Sequence, residues 1–192
     1  MNQPANGFER LVATLIGVVL QVVRGILLAP VIALRRMLSS PHAGVAPVEA
    51  VRPLRRRVLR PGRPPEAAVW EGDDDPRTRH FALRWGGEVV AVATVVPAPD
   101  PDGGPARYQL RGMAVTPELQ GRGLGGQLLD AVHEAVGEAL WCNARTSARG
   151  FYTRHGWTPR GDVFDKPGIG PHVRMSWQPA RKQLRDASGE AR

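Results

Sequence analysis

The sequence predicts an α/β fold of the α+β type. Three observations carry this. Apolar residues switch along the chain between helical spacing and strand-like runs. The strand-like runs come first as a close pair and later alternate with helical ones. The 192 residues, 42% of them hydrophobic, suffice for one core and are too few for two full-sized domains.

The first run, "LVATLIGVVLQVVRGILLAPVIAL" from Leu11 to Leu34, is long enough to cross a bilayer, but Arg24 sits near its midpoint and Pro30 interrupts its second half. Arg10, Thr14, Gly17, Gln21 and Arg24 follow one another at spacings of four, three, four and three, so they gather into one stripe on a helix. A narrow polar stripe on a broad apolar body suits a helix lying in a membrane interface or packing on a partner; a span is the competing reading. A cleaved signal peptide fits worse, because Arg35 and Arg36 follow instead of a small-residue cleavage site. Translation starting at Met37 would leave the segment out altogether.

"SSPHAGVAP", Ser39 to Pro47, reads as a linker hiding a short strand. In "VEAVRPLRRRVLRPG" the spacing of Val48, Val51, Leu54 and Val58 predicts a helix ended by Pro61 and Gly62, with its arginines outward and Pro53 tolerable only near the first turn. "EGDDDPRT" is a loop; "RHFALRW", a Gly86-Gly87 turn and "EVVAVATVVP" form a hairpin. After a Pro, Asp and Gly loop, "RYQLRGMAV" is a strand, and Leu124, Leu128, Val132, Ala135 and Ala139 repeat at helical spacing. "LWCNA" is a strand, "SARGFYTRHGW" a short helix, and "RGDVF" and "HVRMSW" a closing pair of strands. The expected organisation is a hydrophobic, Arg-flanked helix or tail over 1–40, a folded domain over 41–177 and a flexible tail over 178–192.

The formal charge of +8 arises at the front: residues 1–63 hold ten Arg against Glu9 and Glu49, and the remainder is balanced. The segment 8–36 could therefore meet an anionic membrane surface, while nothing marks the globular part for nucleic acid. Cys142 is alone, which excludes an intramolecular disulfide and suits a reducing cytoplasm.

The densest signal is "VTPELQGRGLGGQLL", which puts Gly121, Gly123, Gly125 and Gly126 just before a helix. A helix N-terminus has unpaired N–H groups and a partial positive charge, so it holds phosphate if side chains do not screen it. A dinucleotide fingerprint is not met, because Pro117 to Gln120 separate strand from glycines and the next strand lacks the ribose-binding acid. No Gly-Lys-Ser/Thr follows, which excludes a Walker loop.

With Gln120, Gly123 and Gly125 at its fixed positions, the stretch resembles the acyl-CoA signature of the GNAT superfamily of N-acyltransferases. Some thirty residues on, "NARTSARGFYTRHGW" looks like the second signature of that family, so the resemblance runs from about Val45 to Trp177. It implies a mixed central sheet of about six to seven strands, helices on both faces and a splayed central strand pair. It also implies backbone groups of Met113, Ala114 and Val115 pairing with pantetheine, and Gln120, Gly121, Arg122, Gly123, Leu124, Gly125 and Gly126 wrapping the pyrophosphate. Asn143 would hydrogen-bond the cofactor arm and Tyr152 would face the sulfur; the competing readings are a helix cap for Asn143 and, beside a core Phe151, a half-buried core aromatic for Tyr152.

The implied reaction moves acetyl from acetyl-CoA, the acyl-donor co-substrate, to an amine of a small molecule or peptide by direct attack in a ternary complex, with backbone N–H groups near Met113 to Val115 stabilising the oxyanion. An idle acyl-CoA-binding module is the alternative. Tyr152 is the natural hydrogen-bond donor to the leaving thiolate, although a phenol at pKa ~10 is a weaker acid than a thiol at ~8.5. The strand 107–115 lacks a Glu for the general base; His172 and the loop Glu71 to Asp75 are the candidates. Cys142 reads as a core thiol, and the histidines lack metal-ligand spacing, so no metal is expected.

Overall fold

The computed structural model describes residues 7–180, with some side chains within the first helix excepted. The chain divides into two compact units, one of Met1–Pro41 with Trp85–Glu88 and one of His42–Arg84 with Val89–Arg192. In the first, α1 (Gly7–Met37) is one continuous helix with Pro30 inside it. Leu11, Leu15, Ile16, Val18, Val19 and Val22 along it are exposed, whereas the side chains of Arg10, Gln21 and Arg24, three members of the predicted stripe, lie outside the described residues. Trp85 donates its indole N–H to the Arg36 carbonyl at 3.0 Å, and Arg36 pairs with Glu88 at 3.1 Å. Among the described residues no helix is long and apolar enough to cross a membrane.

The second unit is built on a mixed seven-stranded sheet in the order β1-β2-β3-β4-β5-β7-β6. The strands are β1 (His42–Val45), β2 (Arg79–Trp85), β3 (Glu88–Pro97), β4 (Tyr108–Val115), β5 (Leu140–Arg145), β6 (Thr158–Lys166) and β7 (Gly170–Trp177). Three helices accompany it: α2 (Val48–Leu59), α3 (Leu124–Val136) and α4 (Arg149–Arg154). β3 is the spine of the core, with Val90 to Val96 all buried, as expected of a strand covered on both faces. α3 buries Leu128, Leu129 and Val132 completely, and α2 sets Val51 and Leu54 against Val92 and Ala114. The tail predicted over 178–192 lies, from residue 181 on, outside the described residues.

Two expectations about α2 are corrected. Pro53 lies inside the helix, not in its first turn. Arg55 does not point outward: it is fully buried, because position 55 shares the face of Val51 and Leu54. Its guanidinium donates to the Asp73 carboxylate at 2.6 Å, to the Thr94 hydroxyl at 2.6 Å and to the Ala68 carbonyl at 3.0 Å. His80 extends the network, with Nδ1 3.0 Å from the Thr94 hydroxyl and Nε2 3.0 Å from the Asp73 carbonyl. A charge buried this deeply is tolerable only with such partners, and removing either side of such a pair costs about 3–5 kcal/mol.

Candidate active site

The site begins with a failure of strand pairing. β4 and β5 run parallel and pair only at Tyr108↔Leu140 and Gln109↔Trp141. Beyond that point β4 stays bonded to β3, and β5 to β7 as far as Arg145↔His172, so the facing edges of β4 and β5 are left without each other. A bulge accompanies the separation. Between Val92↔Ala114 and Thr94↔Arg111 a single residue of β3 opposes both Gly112 and Met113, and Gly112 takes φ +63°. Only glycine adopts this readily, and a Cβ at 112 would also lie 2.7 Å from the Trp70 ring.

A cleft of about 1020 Å³ occupies the gap. Met113, Ala114 and Val115 form its β4 wall and Asn143 its β5 wall. Past Val115 the chain makes a short turn at Pro117–Leu119, and the Gln120 side-chain amide donates back to the Val115 carbonyl at 3.1 Å, holding the turn against the strand end. Gly121 and Gly123 follow with φ +76° and +77°, and Gly123 caps α3 with no side-chain hydrogen bond, so the first N–H groups of that helix face outward unspent. A Cβ on Gly121 or Gly123 would meet nothing within 4 Å, so packing does not require glycine there, and both residues line the cleft.

The other two glycines serve differently. A Cβ on Gly125 would stand 3.3 Å from the Phe151 ring, and one on Gly126 would stand 2.6 Å from the His155 ring. They bring α3 close to α4, so the expectation that all four glycines merely unscreen the backbone is corrected. Leu124, Gly125 and Gly126 line the cleft together with Gln120, Gly121 and Gly123; Arg122 does not.

Asn143 lines the cleft with its side-chain oxygen buried and unpartnered. It does not cap a helix, since the residues at the next helical starts are Arg145 and Ala148, both without side-chain caps. Phe151 and Tyr152 exchange the burial expected of them: Phe151 is half-buried, whereas Tyr152 is 8% exposed. The Tyr152 hydroxyl lies 3.7 Å from Met113 Sδ, and its ring packs edge-on against Trp157. Burial, and then the Cys142 thiol beside it, push the phenol well above its ordinary pKa. Cys142 is buried and its thiol is pushed up by that burial, which leaves little thiolate and suits a core residue.

Of the two candidate bases, only His172 lines the cleft. Its Nδ1 is 2.7 Å from the Gly170 carbonyl, which can only accept, so Nδ1 carries the hydrogen and the neutral ring keeps its Nε2 lone pair free. In the loop Glu71 to Asp75, Asp73 is committed to Arg55 and no member reaches the cleft. Sequence reasoning missed Trp70, Arg60, Arg111 and Lys166, all of which line the cleft. A lone Trp beside an acidic loop was the one signal that could have singled out Trp70.

Residues 48–157 match the family model of the GNAT acetyltransferases. The chain is 32% identical over 133 residues to YitI of Bacillus subtilis, described as an uncharacterized N-acetyltransferase, covering 67% of this chain and 89% of that protein. Among solved structures, Escherichia coli ElaA superposes with a TM-score of 0.60 at 19% identity, covering 72% of this chain and all of that one. An aminoglycoside 6'-N-acetyltransferase complexed with coenzyme A superposes with a TM-score of 0.54 at 14% identity, covering 68% of this chain and 89% of that one. At such identities the superpositions establish the fold; the family match and the curated relative establish the family. The chain belongs to the GNAT family of acetyltransferases, enzymes that bind an acyl-CoA and an amine acceptor.

Proposed function

We propose that this protein moves acetyl from acetyl-CoA to an amine nitrogen, with both substrates held in the cleft at once. The observation that carries the reading is the separation of β4 from β5. It leaves backbone amides of Met113 to Val115 on an open edge, which suits a ligand with amide groups of its own. The buried, unpartnered Asn143 oxygen adds an acceptor for such an amide, and the uncapped N-terminus of α3 behind Gly121 and Gly123 suits a pyrophosphate. These residues fit acyl-CoA, and Gln120 acts by fixing the turn.

Bound acyl-CoA supplies an activated acyl group, whose carbon–sulfur bond breaks as the amine nitrogen bonds the carbonyl carbon. His172 Nε2 takes the proton the amine must lose. N–H groups of the Met113 to Val115 edge donate to the carbonyl oxygen as it gains charge. Tyr152 stays protonated and donates a hydrogen bond to the departing sulfur; its raised pKa makes it a poor source of the proton itself. Residues 41–177 form the transferase domain, working in the cytoplasm, while the segment 8–36 rests on an anionic membrane surface.

The test is thermal. Acetyl-CoA raises the melting temperature of the full-length protein, and Gly123→Val with Gly125→Val abolishes the rise, because a branched Cβ opposes the positive φ at 123 and presses Phe151 at 125. An undiminished rise in the double variant refutes the role given to the turn.

A further inference from the structure

The cleft has no carboxylate in its lining among the described residues; its charged members are Arg60, Arg111, Arg145, Arg154 and Lys166. Arg154 belongs to the cofactor end, since it ends α4, and Phe151 of that helix and His155 just after it flank Gly125 and Gly126. Arg111 belongs to the opposite end. It precedes Val115 by four strand residues, about 13 Å of strand, and so lies upstream of the edge assigned to pantetheine.

At that end positive charge gathers around one ring. The guanidinium of Arg55 lies 4.3 Å from the centre of Trp70, that of Arg60 5.6 Å and that of Arg111 5.7 Å. Asp73 is the buried carboxylate among them, and Arg55 already holds it at 2.6 Å. Arg111 reaches its other oxygen at only 3.7 Å, donates to the Glu71 carbonyl, and keeps a buried Nε without a partner. Burial lowers the pKa of Arg111; Asp73 opposes that, Arg55 adds to it, and Glu71 contributes a weaker attraction. Arg60 donates to the Leu59 carbonyl, which offers no charge in return. An amine acceptor with further positive charges, such as a polyamine, would meet repulsion here.

We infer that the acceptor carries an anionic group beside its amine, a carboxylate or a phosphate, and that Arg60 and Arg111 hold that group against Trp70. The inference rests on the proposed transfer and names the class of its second substrate. Two guanidinium forks on one ring suit a planar or tetrahedral oxyanion, and Lys166 adds a further charge to the same cleft.

The experiment saturates the full-length protein with coenzyme A, then follows the Arg60 and Arg111 Nε–H and Trp70 indole signals by NMR. Inorganic phosphate, acetate and spermidine are titrated separately. Saturable shifts with phosphate or acetate, absent with spermidine and lost in both Arg60→Gln and Arg111→Gln, support the inference; the stronger anion tells phosphate from carboxylate. Two substitutions guard against Arg111→Gln failing to fold. In turnover, the acidic members of the pairs phenylalanine and phenylalaninamide, or ethanolamine phosphate and ethanolamine, should have KM values about tenfold lower, the worth of one charge-assisted contact. No saturable shift with either anion, or a shift with spermidine, overturns it. Failure of coenzyme A to bind would instead refute the acyl-CoA reading, and is seen before any anion is added.

Discussion

Tyr152 is a core side chain for which we propose a part in the chemistry. Its ring fills space against Phe151 and Trp157, and its hydroxyl lies on the cleft side near Met113 Sδ. Substituting Phe keeps the ring and deletes only the hydroxyl. Tyr152→Phe should therefore lower kcat by about ten- to a thousandfold with coenzyme A affinity and melting temperature nearly unchanged. A kcat within about threefold of the native value would return Tyr152 to a packing role. Arg55 is the opposite case. Its sequence context, three arginines in a row, reads as a solvated stretch, and only the loop that brings Asp73 under it makes burial tolerable. A pairing across that much sequence leaves no local periodicity.

Among the elements, helices and strands announced by strong periodicity stand close to where the sequence puts them, except that α3 stops at Val136, because Gly137 takes φ +64° and caps it, so Ala139 is not on the helix. The glycine turn was legible too, because positive φ and a bare helix start both demand small residues in a fixed order. What could not be read was the far wall of the cleft. Trp70 lies in a coil, and Arg60 just past the end of α2, so neither belongs to a pattern; Trp70 reaches the cleft wall where Gly112 leaves room for its ring, and Arg60 lies against that ring. α1 carries a prediction of its own. Its apolar residues remain exposed, Leu11 at 66% and Leu15 at 65%, more than a helix in water sustains without something to cover it. Full-length protein should float with phosphatidylserine-containing vesicles, and a chain starting at Ser40 should stay behind in the dense fractions. Equal partitioning of the two would leave the helix with a protein partner.

For the molecule as a whole, acid sensitivity follows from His133. Its Nε2 accepts the Trp157 indole hydrogen at 3.0 Å and its ring stacks on Trp177 with centroids 3.8 Å apart, an arrangement that needs the neutral imidazole. Burial, and then the nearby His155, lower its pKa from 6.5 to about 4. The unfolded chain therefore takes up this proton first as pH falls, so the contribution is complete above about pH 6.5, declines through the window and is gone near pH 4. The melting temperature of the native protein should drop more steeply between those limits than that of His133→Gln, with carboxylates acting equally on both; parallel curves would remove His133 from the account. The same whole-molecule view gives the open seam between β4 and β5 another meaning. Exposed strand edges normally sit at a sheet's margin, where they invite pairing with a second chain. Here the unpaired row lies in the middle, and each strand beside it is already bonded on its other side. The fold thus keeps a bare edge in stock without offering it to its neighbours in a crowded solution.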